Sequence, residues 1–127
     1  MVRILVVDDE QDILDFTKKT LEVVKHEVDI AADGSIGLEM IRRREYELII
    51  TDVMMPNLTG LELTRQLKRD SRWKNIPILM FSALGTGTRM MLGEDSQADG
   101  YLQKPFTPTA LLESVNQILR TKRSRSI

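Results

Sequence analysis

The sequence predicts an α/β domain in which a parallel five-stranded sheet is covered on both faces by five helices. Three observations support this prediction. Short apolar runs rich in β-branched residues recur along the chain, segments with helical spacing alternate with them, and acids or small polar residues follow several of the runs. Strands that alternate with helices form right-handed βαβ units, which gives a three-layer, doubly wound arrangement.

The predicted strands are the short apolar runs. Leu48 to Ile50 is the clearest, because it is continuous, contains two β-branched residues and leads through Thr51 to Asp52. Pro56 cannot donate to a strand ladder, so Asp52 lies at the carboxyl end of this strand. The second strand alternates polar and apolar residues, which favours an edge position. The five strands are predicted at 2–7, 27–32, 48–52, 78–81 and 101–103.

Segments with helical spacing follow the strands. Asp9 or a neighbour is expected to cap the first helix, Thr59 the third, and Thr107 the last, with Pro108 at its first position. The segment 85–94 is the weakest helix prediction, since each of its three glycines costs up to about 1 kcal/mol relative to alanine. The predicted stripes are Ile13, Phe16, Thr20, Leu21 and Val24; Ile36, Leu38, Met40 and Ile41; Leu61, Leu63, Thr64 and Leu67; and Leu111, Leu112, Val115, Ile118 and Leu119.

Composition narrows the class of protein. The 127 residues suit a single domain, with residues 1–121 as its body and 122–127 as a basic tail, read as a solvated helix end or the start of a linker. A net charge of −1 gives no sign of nucleic-acid or membrane binding. The absence of cysteine excludes disulfides and thiolate sites. With no signal peptide and no long apolar run, a cytoplasmic location is expected.

Polar side chains converge at the carboxyl edge of the predicted sheet. Asp8 and Asp9 follow the first strand, Asp52 ends the third, Ser82 ends the fourth and Lys104 follows the fifth. Neighbouring carboxylates repel one another, which is relieved either by a raised pKa or by a hard divalent cation such as Mg²⁺. A serine and a lysine beside them suit a phosphoryl group. Each residue alone is common in loops and helix caps, so the hypothesis depends on their joint placement.

Four matched segments and Gly60 give the chain a family resemblance. I-L-V-V-D-D-E (4–10), L-I-I-T-D-V-M-M-P (48–56) with Gly60, F-S-A (81–83) and A-D-G-Y-L-Q-K-P-F (98–106) resemble the receiver domain of two-component response regulators. The resemblance covers residues 2 to about 121. It implies a flavodoxin-like fold with strand order 2-1-3-4-5.

The resemblance also implies a role for each site residue. Asp52 resembles the acceptor that is phosphorylated on its carboxylate. Asp8 and Asp9 resemble the Mg²⁺-binding acids, and Met54 resembles the residue whose backbone carbonyl completes the protein ligands together with Asp52. Mn²⁺ is expected to substitute for Mg²⁺.

Three further residues resemble the switch and the charge-stabilising group of the family. Ser82 resembles the hydroxyl that moves to the phosphoryl oxygen, and Tyr101 resembles the aromatic residue that packs inward in response. Lys104 resembles the lysine that bridges the acceptor and the phosphoryl group. The Lys104–Pro105 bond is expected to be cis, as in the family.

The implied function is phosphorylation-dependent signalling. A sensor histidine kinase or phosphotransfer protein would supply the phosphoryl group, and the surface of the last two helices would control an effector or partner, including a possible phosphorylation-dependent homodimer. The domain would promote its own phosphoryl transfer and the later hydrolysis, without binding nucleic acid or membrane directly. The alternative is a pseudo-receiver that binds a partner without phosphorylation. An aspartate-nucleophile phosphatase is disfavoured because Met54 replaces its second acid, and a flavin module because Asp8-Asp9-Glu10 would repel its phosphate.

Three features depart from the family pattern. Lys25 stands where a helix-ending glycine is common, so a different turn is expected there. The fourth helix contains Gly85, Gly87 and Gly93, and is expected to be short or mobile. Met54 and Leu84 flank the expected phosphoryl site and cannot orient an attacking water, which predicts a long-lived phosphorylated form.

Overall fold

The computed structural model describes residues 1–83 and 97–125. These residues form a five-stranded parallel sheet with strand order 2-1-3-4-5, as the family resemblance implies. They contain four helices, and the predicted helix at 85–94 lies outside the described residues. The elements are β1 (Arg3–Val7), α1 (Gln11–Val23), β2 (Glu27–Ala31), α2 (Gly34–Arg43), β3 (Leu48–Asp52), α3 (Gly60–Arg69), β4 (Ile78–Ser82), β5 (Gly100–Gln103) and α4 (Pro108–Arg125).

Two apolar cores lie on the two faces of the sheet. On one face, α1 and α4 bury residues such as Leu21 and Val115 against β1, β3 and β4. On the other face, α2 and α3 bury residues such as Ile41 and Leu63. Since both faces are covered, β3 and β4 are buried along their whole length. Within the described part of the chain, no helix is long and apolar enough to cross a membrane.

The predicted caps of the later helices are confirmed. The hydroxyl of Thr59 accepts a hydrogen bond from the backbone N–H of Glu62 at 3.1 Å. The hydroxyl of Thr107 accepts one from Ala110 at 3.1 Å, and α4 begins at Pro108. Each cap satisfies a backbone donor that has no partner inside the helix.

The prediction for the first helix is wrong in two details. Its buried residues are Leu14, Thr17 and Leu21, whereas Phe16 and Val24 are 37% and 43% exposed. Phe16 lies at the rim of the core, where its ring packs 5.8 Å from that of Phe106. The buried face of the helix includes Thr17 and therefore lies one residue away from the face that the apolar spacing predicts. The N-cap residue is Glu10, whose side chain makes no capping hydrogen bond.

The prediction of a different turn at Lys25 is wrong, because Lys25 adopts the backbone conformation of a helix-ending glycine. Lys25 has a φ of 74°, the left-handed conformation that favours glycine. The N–H of Lys25 donates to the carbonyl of Glu22 at 2.9 Å, and the N–H of His26 donates to the carbonyl of Leu21 at 3.2 Å. These two bonds form a Schellman motif, which ends α1 sharply before β2.

The final helix extends into the predicted tail. It continues to Arg125, so residues 122–125 are helical. The division at residue 121 remains a prediction. The Lys104–Pro105 peptide bond is cis, as expected.

Candidate functional site

The polar residues predicted at the strand ends meet at the carboxyl edge of β1, β3 and β4. Asp8 is fully buried, Asp52 is 8% exposed and Ser82 is 4% exposed. The backbone N–H of Lys104 donates to the carbonyl of Ser82 at 2.7 Å, which brings the end of β5 beside that of β4. Asp9 is exposed at the rim. The edge therefore carries two buried carboxylates and one buried hydroxyl.

The loop after β3 fixes the backbone of Asp52. The N–H of Val53 lies 3.0 Å from the carbonyl of Phe81 and 3.0 Å from Asp52 Oδ1, and the N–H of Gly60 donates to the carbonyl of Val53 at 2.9 Å. A Cβ atom on Gly60 would overlap the carbonyl oxygen of Asp52. Glycine is therefore required where α3 begins, since only a bare Cα allows this close approach.

Lys104 is the cation that joins the carboxylates. Its Nζ lies 2.8 Å from Asp8 Oδ2, 3.2 Å from Glu10 Oε1 and 3.6 Å from Asp52 Oδ1. The lysine side chain is only 9% exposed, so little solvent screens its ion pairs with Asp8 and Asp52, whereas the Glu10 side chain is 61% exposed. The longest of the three distances is to Asp52. Asp52 Oδ1 also receives the Val53 N–H, whereas Oδ2 takes no hydrogen bond from the described residues.

Burial sets the protonation behaviour of the site. Burial and then the charge of Asp8 raise the pKa of Asp52 to about 6, although the Lys104 ammonium opposes them. Burial also raises the pKa of Asp8, again against the effect of Lys104. Burial by itself lowers the pKa of Lys104, but Asp8 and Asp52 outweigh it, and the pKa is raised. At neutral pH, Asp52 is therefore mostly ionised and Lys104 is charged.

The donor atoms fit a hard divalent cation. Asp8, Asp9 and Glu10 each offer a carboxylate oxygen within 4.8 Å of one another. Asp8 Oδ2 is buried and receives no well-aligned hydrogen bond, although the Lys104 ammonium is close. Oxygen donors of this kind suit Mg²⁺, which binds through one or two carboxylates and retains water. This group contains Glu10 where the predicted metal set contains Asp52.

Two predicted site residues lie outside this cluster. The side chain of Met54 is 65% exposed after β3, which leaves its backbone carbonyl as its only hard donor for a metal. Tyr101 is half-buried on β5, opposite Met80 of β4, and packs against the core on the α2–α3 face. Its ring therefore adjoins the strand that ends in Ser82. Its switch role remains a prediction.

Glu10 is the contact that sequence reasoning missed. The sequence analysis used it only as part of an acidic run, yet it hydrogen-bonds Lys104 from 94 residues away in the chain. No spacing rule gives such a contact, because it depends on where the loop after β5 places the lysine. A weak signal was available, since Glu is a poor N-cap residue and stands where α1 begins.

Comparison with known proteins agrees with this geometry. The family model described as response regulator receiver domain matches residues 4–116. The chain is 38% identical over 120 residues to the DNA-binding dual master transcriptional regulator RpaA of Synechocystis sp., covering 94% of this chain and 50% of that protein. It is 35% identical to the response regulator ArlR of Staphylococcus saprophyticus, covering 100% of this chain and 56% of that protein. It spans about half the length of the curated relatives it matches.

Solved structures give the same result. The chemotaxis response regulator CheY4 of Vibrio cholerae superposes with a TM-score of 0.87 at 34% identity, covering 93% of this chain and 98% of that one. A protein from Chloroflexus aurantiacus described as a putative response regulator superposes with a TM-score of 0.88 at 31% identity, covering 94% of this chain and 98% of that one. The chain therefore belongs to the family of receiver domains found in the response regulators of two-component systems.

Proposed function

We propose that Asp52 accepts a phosphoryl group and that this modification switches the surface around β5 and the last two helices, including the predicted helix at 85–94. One observation carries the proposal: a mostly buried carboxylate lies at a strand end, 3.6 Å from the ammonium of Lys104, whose side chain is 9% exposed. Burying a carboxylate without a partner costs free energy, so a buried acid is normally paired or has a functional role. A nucleophile with an adjacent cation is what phosphoryl transfer requires.

The two carboxylate oxygens of Asp52 have different proposed roles. Oδ1 is held by the Val53 N–H, so we propose Oδ2 as the nucleophile. Oδ2 forms a bond to phosphorus as the P–N bond of a phosphohistidine donor breaks, and the leaving imidazole keeps the electron pair and takes up a proton. Hydrolysis reverses the modification when water attacks phosphorus and the P–O bond to Asp52 breaks, releasing inorganic phosphate.

Charge neutralisation comes from the residues around Asp52. Lys104 Nζ lies 3.6 Å from Asp52, near enough to move to a phosphoryl oxygen. The phosphoryl group would carry more negative charge than the carboxylates of Asp8 and Glu10, and would therefore attract the ammonium more strongly. Mg²⁺, or Mn²⁺ in its place, held by Asp8, Asp9, Asp52 and the carbonyl of Met54, would neutralise the developing negative charge on the phosphoryl oxygens. The protein's own contribution is to hold the acceptor rigidly at the strand end and to place the Lys104 ammonium beside it.

The switch connects the site to the outer strand. Ser82 ends β4, and its hydroxyl is proposed to move to a phosphoryl oxygen. Tyr101 lies on the neighbouring strand and packs inward in response. The changed surface would control an effector or bind a second copy of the domain. Measuring the molecular size of the protein with and without a phosphoryl mimic tests whether activation drives dimerisation.

The proposed donor is a sensor histidine kinase or a phosphotransfer protein, in the cytoplasm. The name of RpaA says that the whole relative binds DNA, but the match covers half of it. For this domain we propose no direct binding to nucleic acid or membrane, since its net charge of −1 gives no attraction to phosphate backbones or anionic lipids.

Beryllofluoride, a mimic of the phosphoryl group, tests the proposal. With Mg²⁺ present it should bind the wild-type protein, as seen by ¹⁹F NMR, and should shift backbone amides near Ser82 and Tyr101. Asp52→Asn should abolish binding and Lys104→Met should weaken it, while Asp12→Asn on exposed α1 should leave it unchanged. A wild-type protein that does not respond would instead favour the pseudo-receiver, which binds its partner without phosphorylation.

A further inference from the structure

Glu10 differs from the other described helix N-caps. The side chains of Asp33, Thr59 and Thr107 accept hydrogen bonds from the first turn of their helices. Glu10 is the N-cap residue of α1, and its side chain makes no such bond. Its Oε1 lies instead 3.2 Å from Lys104 Nζ. The helix therefore forgoes a side-chain cap, and the carboxylate contacts the lysine of the proposed phosphoryl site.

The position of Lys104 reflects competition among three acids. Asp8 is at 2.8 Å, Glu10 at 3.2 Å and Asp52 at 3.6 Å, so the ammonium is displaced from the acceptor toward the β1 side. Asp8 is buried and fixed, and its Oδ1 accepts the backbone N–H of Glu10 at 2.9 Å. That bond holds Glu10 beside the lysine. Two of the three acids therefore draw the lysine away from Asp52.

The contact to Glu10 is the one that can be released. The Glu10 side chain is 61% exposed, and an ion pair that exposed contributes little to stability. Breaking it leaves a solvated carboxylate, whereas breaking the pair with Asp8 would leave a buried one unpaired. A phosphoryl group on Asp52 would bring about two charges to the acceptor side and would compete successfully for the ammonium.

From this geometry we propose that Glu10 is a positioning residue that restrains Lys104 on the β1 side until a phosphoryl group is present on Asp52. The proposal rests on the proposed function of Asp52 and goes beyond it by identifying the group against which the phosphoryl oxygens compete. Glu10 touches neither the donor nor the phosphoryl group. Its effect passes through the lysine. The restraint makes the unmodified state more distinct from the modified one.

A double-mutant cycle between Glu10 and Lys104 tests the proposal. At saturating Mg²⁺, Glu10→Gln should tighten beryllofluoride binding by roughly three- to fivefold, the scale of one exposed ion pair. In a Lys104→Met background the same substitution should have almost no effect. An equal effect in both backgrounds would show that Glu10 acts only as a nearby negative charge, which would overturn the proposal.

A shorter acid separates position from charge. Glu10→Asp keeps the charge but withdraws the carboxylate from Lys104, and aspartate caps a helix well. It should therefore behave like Glu10→Gln if the contact matters, and like wild type if only charge matters. Asp12→Asn, which removes an exposed acid from the first turn of α1, should leave beryllofluoride affinity unchanged.

NMR of the metal-free protein provides a readout that does not depend on the binding of Mg²⁺ or beryllofluoride. The Val53 N–H donates to Asp52 Oδ1 and reports on the electrostatic surroundings of the acceptor. Glu10→Gln should shift this amide as Lys104 moves toward Asp52, and the shift should disappear when Lys104→Met is the reference. A large loss of Mg²⁺ affinity in Glu10→Asp would identify Glu10 as a metal ligand and refute its role as a lysine restraint.

The failures of the two proposals are distinguishable. If the wild-type protein does not bind beryllofluoride, the proposed function fails. If the wild-type protein binds it and the cycle shows no coupling between Glu10 and Lys104, only the positioning role fails.

Discussion

Asp52→Asn should stabilise the metal-free protein at neutral pH. Asp52 is 8% exposed, and the pKa of its carboxyl is raised from 3.8 to about 6, first by burial and then by Asp8. A raised pKa in the folded state means that folding disfavours the ionised form. The stability that protonation provides is complete below the unfolded pKa and is lost as pH rises from about 4 to about 6.

The magnitude follows from the shift. Roughly two pH units at about 1.4 kcal/mol per unit give an upper limit of about 3 kcal/mol at pH 7.5 and about 1 kcal/mol at pH 4.5. Asparagine keeps the acceptor oxygen for the Val53 N–H, and the pKa of about 6 already includes the attraction of Lys104 at 3.6 Å, so that loss is not subtracted again. We expect a net stabilisation of about 1–3 kcal/mol at pH 7.5, with most of it gone at pH 4.5.

Urea unfolding in EDTA at the two pH values measures this difference. Asp12→Asn is the matched control, because it removes an exposed acid and should change the free energy of unfolding by less than about 0.5 kcal/mol. A stabilisation by Asp52→Asn that does not depend on pH would refute the electrostatic reasoning. So would a destabilisation at pH 7.5.

Three other substitutions test local features. Lys25→Gly should raise the free energy of unfolding by about 0.5–1 kcal/mol, since φ is 74° there; Lys25→Ala should not, and an equal gain from alanine would contradict the strain argument. Gly60→Ala should destabilise by about 1–3 kcal/mol because its Cβ meets the backbone of Asp52, whereas Gly100→Ala meets the movable end of Ile118 and should cost less in the same urea assay. Met54→Asn should shorten the half-life of the phosphorylated protein by roughly fivefold, the effect of one hydrogen bond of about 1 kcal/mol to the attacking water, as followed by decay of the phosphorylated mass; an unchanged half-life would remove Met54 from the account.

The fold could be predicted from the sequence because local and global signals agree. The apolar run ending in Asp52 is short, contains β-branched residues and is followed by Pro56, which favours a buried strand, and Thr59 and Thr107 are strong caps. The first helix was predicted correctly, but its buried face was misassigned by about one residue, because the apolar spacing favoured Phe16 over Thr17. The left-handed Lys25 could not be predicted because tertiary context overrides its intrinsic preference.

The sequence predicted which residues form most of the site, but not the distances between them. Strand ends place Asp8, Asp52 and Ser82 on one edge in any parallel sheet, which is why these positions were found. The distances from Lys104 to its three acids depend on the path of the chain after β5. Short-range patterns contain no such information, and the contact with Glu10 was missed for this reason.

Direct phosphorylation tests the central claim. The protein should be incubated with acetyl phosphate and Mg²⁺, and the modified residue identified by mass spectrometry of peptides that contain Asp52, with Asp52→Asn treated in parallel. We expect the wild-type protein to gain one phosphoryl group on the peptide containing Asp52, and the variant to gain none there. A wild-type protein that stays unmodified, or a variant that is modified equally, would contradict the account.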